Sequence, residues 1–247
     1  LILFPLSACE TVKTTQAGTV GIDRQQRMAV SAQSMEKSAN KQYAQLMADA
    51  AKKEKLNADA AQYERVKNIA DKLIKQTPSF RTDAIHWKWE VNVLTSGEVN
   101  AWCMPGGKIA VYTGLIHKLK ITDDELAAVM GHEIAHALRE HARERMGKSA
   151  ATQGLSRLGG AVVSGLFGID PRLTDMVARE GANLLTLKFS REDETEADLV
   201  GMELGARAGY DPRAGVTLWQ KMSAANKNAP PQWLSTHPSG STRIKDI

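Results

Sequence analysis

The sequence predicts an α+β fold, mainly helical, with a small three-stranded sheet packed on one central helix. Three observations point to it. Between Asp23 and Gln76 apolar residues recur at helical spacing, at Leu46 and Ala50 and again at Val66, Ile69, Ala70 and Leu73. Near Ala84 the period switches to two, and short apolar runs separated by Gly-containing turns follow. From Thr122 onward the helical period returns. With 247 residues, 43% hydrophobic and 24% charged, the chain can bury a substantial core, and wholesale disorder is excluded.

The elements follow in order. Leu1 to Ala8 are apolar or small, too few to span a bilayer, and resemble the end of a signal-peptide apolar region. Leu6-Ser7-Ala8-Cys9 resembles the lipobox of bacterial lipoproteins, which makes Cys9 the expected lipidation site; Glu10, where inner-membrane lipoproteins carry Asp, favours the outer membrane. Residues 10–22 show no periodicity and read as a tether. Two helices are expected across 23–76, broken near Leu56–Asp59 and ending before Thr77-Pro78. Ile85 to Val93 alternates as a half-buried strand, and Asn100 to Met104 and Lys108 to Thr113 read as two strands joined at Pro105-Gly106-Gly107. Thr122-Asp123-Asp124-Glu125 is a capping box opening a helix that should run to about Met146, with Gly147 ending it. Residues 148–170 read as a loop or short helix that could gate a cleft. Further helices are expected from Pro171, from Ser190 to about Ala208, and from Asp211-Pro212.

Charge and cysteine content narrow the function. The net charge is +4, and all of the excess lies in residues 1–80, with 12 Lys and Arg against 8 acids; residues 81–247 balance at 20 against 20. That density does not suit a nucleic-acid binder. Two cysteines, Cys9 and Cys103, rule out a disulfide scaffold and a four-cysteine zinc site. With Cys9 assigned to lipid, Cys103 is left as a free thiol, inert if buried.

The chemistry concentrates in His132-Glu133-Ile134-Ala135-His136, inside the capped helix. Four residues subtend about 400°, which puts the two histidines one turn apart and within about 40° of each other. Two imidazoles so placed can bind one Zn²⁺. Glu133, turned about 100° away, is placed to act as a general base rather than a ligand. A third protein ligand is needed. Arg139 and Ala142 occupy the positions where a metzincin carries Gly and His, so that reading fails. His141 is off register for the same metal and is expected to be exposed beside Arg139 and Arg143. The later segment Ser190 to Asp198 offers Glu192, Glu194 and Glu196 as alternatives, and its Glu194 and Asp198 stand at i and i+4, so one can bind metal while the other accepts an N–H from a ligand histidine.

The zinc motif followed by Glu194-x-x-Ala197-Asp198, 58 residues after His136, resembles the HtpX-like and BepA-like peptidases, a gluzincin group that includes the CAAX prenyl proteases. Asn100-Ala101-Trp102, Pro105-Gly106-Gly107, Ile109 to Tyr112, Gly114-Leu115, Thr236-His237-Pro238 and Arg243-Ile244 extend the similarity, and the LoiP-like periplasmic lipoproteins are the branch it suits best. The resemblance implies a zincin-like gluzincin domain, with Glu194 as third ligand beside His132 and His136, Asp198 supporting a ligand histidine, and His237 and Arg243 joining Glu133 in catalysis. It also places the strand of Asn100, Ala101 and Trp102 against extended peptide.

These readings divide the chain into 1–22 (signal remnant, lipobox and tether), 23–58 (helical extension) and 59–247 (peptidase domain). They lead to a zinc metalloendopeptidase with one Zn²⁺ per chain, lipid-anchored in the outer membrane and facing the periplasm. Its expected substrates are unfolded or misassembled envelope proteins, and its other partners are envelope quality-control proteins. The rival expectation is an envelope chaperone or scaffold with a structural zinc.

Overall fold

A computed structural model of the chain describes residues 10–157, 184–226, 231–237 and 243. Cys9, residues 158–170 and the helix expected from Pro171 lie outside them. The architecture is mainly helical with small sheets, and its strands and helices are β1 (Glu10–Val12), β2 (Gln26–Met28), α1 (Ala32–Lys52), α2 (Ala60–Ile74), β3 (Glu90–Leu94), β4 (Ala101–Met104), β5 (Lys108–Tyr112), α3 (Thr113–Leu119), α4 (Asp123–Leu138), α5 (His141–Arg157), α6 (Arg191–Arg207), α7 (Ala214–Asn226) and α8 (Trp233–Thr236).

The second sheet has the order β3-β5-β4, with β3 parallel and β4 antiparallel to the central β5. The alternation of side chains along its strands serves two layers. Ala101, Ile109 and Val111 face the main core with Val93, against α2 and α4. Leu94, Trp102, Met104 and Ala110 face the other way, where Met35, Ala39, Tyr43 and Met47 of α1 cover them. Both faces are therefore buried, as a sheet with a parallel pair requires. Helix α4 lies at the centre of the molecule. Leu126, Val129, Met130, Ile134 and Leu138 are fully buried, and thirteen of its sixteen residues are buried. The His132, Glu133 and His136 side chains thus sit in the interior.

Helices α4 and α6 cross at two glycines. A Cβ on Gly131 would stand 2.6 Å from the carbonyl oxygen of Gly201, and one on Gly201 would stand 2.6 Å from the amide nitrogen of His132. No side chain fits at this crossing. The backbones touch directly, which brings the carboxylates of α6 to the histidines of α4.

Three local expectations need correction. The alternation from Ile85 does not make a long strand: Thr82–His86 is a 3₁₀ turn and the strand starts at Glu90. The partner strand β5 begins only at Lys108, opposite Glu90, so earlier residues have nothing to pair with. The Trp89 indole instead donates to the Ala84 carbonyl and stacks on Trp87. The zinc-motif helix stops at Leu138 rather than Met146, because Glu140 takes a left-handed conformation (φ 50°) and turns the chain into a new helix. Gly147 lies inside α5, where a Cβ would meet that of Ala29 at 3.0 Å; the glycine serves packing rather than termination. Finally, Asp211 accepts from the Arg213 amide in a turn, and α7 starts three residues later, at Ala214.

The tether expected over 10–22 and the helix expected from Asp23 also need correction: Glu10–Val12 and Gln26–Met28 pair as β1 and β2 in antiparallel register, α1 starts only at Ala32, and the Gln26 side chain donates to the Arg139 carbonyl at the end of α4, contacts that local periodicity does not show. Among the described residues no helix is long and apolar enough to cross a membrane.

Candidate metal centre and cleft

Two capping boxes place the site. The Thr122 hydroxyl accepts from the Glu125 amide while Glu125 accepts from the Thr122 amide, starting α4 ten residues before His132. Ser190 and Asp193 do the same for α6, four residues before Glu194. Each cap satisfies amides that a buried helix end would otherwise leave unpaired.

The Nε2 atoms of His132 and His136 stand 3.0 Å apart. The Glu194 carboxylate lies 3.6 Å from each. His237 brings Nδ1 to 3.0 Å from Glu194 and 3.3 Å from His132 Nε2. One donor atom from each of these four buried residues falls within 4.8 Å of the others. Asp198 accepts from His132 Nδ1 at 2.8 Å, so the proton of that ring is on Nδ1 and its Nε2 presents a lone pair to the cluster. Burial holds His136 well below the ordinary imidazole pKa, and the neighbouring imidazoles push the same way, so this ring is neutral. Glu194 Oε2 is buried without a hydrogen bond, although Nη1 of Arg243 stands 2.5 Å away as an ion pair. Donor atoms so close together suit a divalent cation. Three or four N and O donors at this spacing suit Zn²⁺.

Burial alone would raise the Glu194 and Asp198 carboxyls. The His237 ring on Glu194, the His132 ring on Asp198 and Arg243 on both outweigh it and hold them below the usual range. Arg243 donates to both Asp198 oxygens, at 2.8 and 2.7 Å, and its guanidinium lies over Trp219. It therefore sits behind the metal donors and does not line the cleft.

The cleft runs between β4 and the segment Leu184–Phe189, with Glu133, His136 and His237 at its base. Asn100, Ala101, Trp102 and Cys103 all line it, and among the described residues no strand pairs with the outer edge of β4. The Trp102 ring turns toward α1, edge-on to Tyr43. The Asn100 side chain accepts from the next amide in the chain. Burial pushes the Cys103 thiol well up, so it stays protonated and unreactive, and among the described residues it is in no disulfide. The Glu133 carboxylate accepts from the Trp233 indole at 2.6 Å and lies 3.6 Å from His237 Nε2.

The four residues His132, His136, Glu194 and His237 are drawn from three separate stretches of chain. The chain belongs to peptidase family M48. The family's sequence model matches residues 60–247. The chain is 41% identical over 157 residues to the mitochondrial metalloendopeptidase OMA1 of Arabidopsis thaliana (64% of this chain, 30% of that protein). It is 34% identical over 209 residues to metalloendopeptidase OMA1 of Bos taurus (79% and 38%). It is 29% identical over 160 residues to the beta-barrel assembly-enhancing protease of Escherichia coli (62% and 32%). The chain spans about a third of the length of these relatives.

The structure brings His132, Glu133, His136, Glu194, Asp198, His237 and Arg243 together, and sets Asn100 to Trp102 along the same cleft. It separates the alternatives on α6. Glu192 is exposed on its side chain, and Glu196 points away from the metal donors, toward Arg139. His237, expected as a donor to substrate, also reaches the metal donors. His141 corrects an expectation: it is fully buried rather than exposed, with Nδ1 at 2.8 Å from His136 Nδ1. Its position follows from the turn at Glu140, which register counting along one continuous helix cannot show. Sequence reasoning also missed Trp233 on Glu133 and Phe189 stacked on His136 at 4.0 Å. Neither lies in a motif with local spacing, so no signal was available for them.

Proposed function

We propose that the chain is a zinc metalloendopeptidase. The observation that carries this reading is the convergence of His132, His136 and Glu194 beside a buried carboxylate, Glu133, at the base of a cleft walled by an edge strand. A Zn²⁺ held by His132, His136 and Glu194 would polarise a peptide carbonyl and acidify a water. The chain's own residues supply the rest. The outer edge of β4 would hold extended peptide by backbone pairing. Glu133 would take the proton from the attacking water and deliver it to the leaving amine, its direction set by the Trp233 indole. His237, with Nε2 turned toward Glu133, is placed to donate to the carbonyl oxygen as it gains charge. Asp198 and Arg243 would keep the ligands in place.

For the substrates we propose unfolded or misassembled envelope proteins, a reading supported by the similarity to a beta-barrel assembly-enhancing protease. For location we propose a lipid at Cys9 and an outer-membrane anchor facing the periplasm, supported by Leu6-Ser7-Ala8-Cys9 and Glu10. Mass spectrometry of the membrane-extracted protein tests the lipid, and an unmodified Cys9 would remove it.

Glu133→Gln tests the activity. The variant should keep its metal and lose cleavage of casein by about 10²–10⁴-fold. Equal cleavage by variant and wild type would overturn the peptidase reading of this site.

A further inference from the structure

His132 has Asp198 behind it; His136 has a longer chain of partners, and it reaches outside the region matched by the family. His136 Nδ1 lies 2.8 Å from His141 Nδ1, and His141 Nε2 lies 2.9 Å from Glu196 Oε2. Protons can be assigned by elimination. The Glu196 carboxylate takes hydrogen bonds from the guanidiniums of Arg139 and Arg24, so toward His141 it can only accept. His141 Nε2 therefore donates to Glu196 and turns Nδ1 to His136. With His136 Nε2 given to the metal donors, the hydrogen between the two rings sits on His136 Nδ1 and His141 Nδ1 accepts it.

We propose that His141 and Glu196 are positioning residues for His136, fixing its tautomer and ring angle, and that Arg24 holds this pair from the N-terminal segment. The inference rests on the metal-site reading above. Glu196 is fastened on both sides. Arg139, fully buried, donates to Oε2 at 3.0 and 2.8 Å, and Arg24 donates to Oε1 at 2.5 Å. Arg24 also reaches Glu144 at 2.9 Å, while Gln26 bonds both Glu144 and the Arg139 carbonyl. Arg24 and Gln26 precede residue 60, where the family match begins. The segment 10–28 thus contributes to the ordering of a ligand that it never touches. A carboxylate acting on a ligand histidine through a second imidazole raises ligand basicity as a direct carboxylate does.

The test uses the full chain, with Zn²⁺ alone measured by competition against a chelating dye and Co²⁺ alone by its visible spectrum, both well below the melting temperature of the metal-free protein. His141→Phe removes the acceptor; His141→Gln supplies an amide oxygen in its place. His141→Phe should weaken Zn²⁺ binding by about 10–100-fold and shift the Co²⁺ bands. His141→Gln should restore most of both. A merely structural role would lower the melting temperature of the metal-free protein and leave affinity and bands unchanged, and that result would overturn the proposal. Glu196→Gln is avoided because it strips the buried Arg139 of its counter-charge. Arg24→Gln, at the rim of the cluster, decides the matter if His141→Phe does not fold: a severalfold loss of Zn²⁺ affinity is expected, and wild-type affinity overturns the coupling. His132→Ala separates the two levels of the argument, since unchanged Zn²⁺ binding there would sink the metal site itself.

Discussion

Replacing Gly201 by Ala probes the crossing of α4 and α6, on which every distance in the metal centre depends. The added Cβ would stand 2.6 Å from the His132 nitrogen, 2.7 Å from the Gly131 carbonyl carbon and 2.8 Å from the His132 Cα, against 3.4 Å for an ordinary contact. The helices must separate by several tenths of an ångström, because all three opposing atoms are backbone and no rotamer change relieves them. Overpacking of this kind costs about 1–3 kcal/mol, and the backbone clash argues for the upper end. Helix propensity returns about 1 kcal/mol, since Gly inside a helix is poorer than Ala. The net loss should be about 2 kcal/mol, which in a chain of this size lowers the melting temperature by about 4–8 °C. Gly205→Ala is the internal control. It lies one turn further along the same helix with nothing within 4 Å of its Cβ, so the propensity gain stands alone and the variant should be about 0.5–1 kcal/mol more stable. Thermal melts of the metal-free proteins followed by circular dichroism read both. Zn²⁺ affinity should fall in Gly201→Ala only, because Glu194 moves away from His132 and His136 with its helix. If the two variants melt alike, or if Gly201→Ala binds Zn²⁺ as the wild type does, close backbone contact is not what sets the site.

Trp233→Phe keeps the ring stacked 4.6 Å from His237 but loses the indole N–H that holds Glu133; kcat should drop by about tenfold or more, the worth of a hydrogen bond to a charged group, with Zn²⁺ content unchanged. A variant with wild-type kcat would show that Glu133 needs no such support. The cluster around Arg24 gives a pH dependence. Burial would raise the Glu144 and Glu196 carboxyls, but hydrogen bonds from Arg24 to both, from Lys148 and Gln26 to Glu144 and from His141 to Glu196 bring them down to about 2. Folded-state values below the ordinary 4.5 mean that their contribution is complete above about pH 4.5 and is lost as pH falls toward 2. Equilibrium unfolding of the metal-free protein should therefore lose stability across that window, and Arg24→Gln should start to unfold at higher pH; identical acid midpoints would count against the cluster. Zn²⁺ at 100 times its Kd should stabilise the fold by about 2.7 kcal/mol and raise the melting temperature by about 5–11 °C, reversed by chelator. Absence of any shift would mean that the four donors do not close on a metal.

Much of this centre was legible along the chain because helix geometry acts locally. His132 and His136 share a face by their spacing, Thr122 and Glu125 announce the helix that carries them, and the hairpin at Gly106-Gly107 declares the strands beside it. Where local rules met a tertiary demand they failed. The alternation at Ile85 could not become strand without a partner, and the helix expected to reach Met146 was broken at Glu140, where Arg139 and His141 turn to meet Glu196. The clearest division lies on α6. Sequence alone determined that Glu192, Glu194 and Glu196 share a capped helix two residues apart, about 200° from one to the next. It could not say which of them faces the metal, because the rotation of one helix against another is a property of their contact. The approach at Gly131 and Gly201 sets that rotation, turning Glu194 to His132 and His136 and sending Glu196 to the far side, where Arg24, Arg139 and His141 receive it.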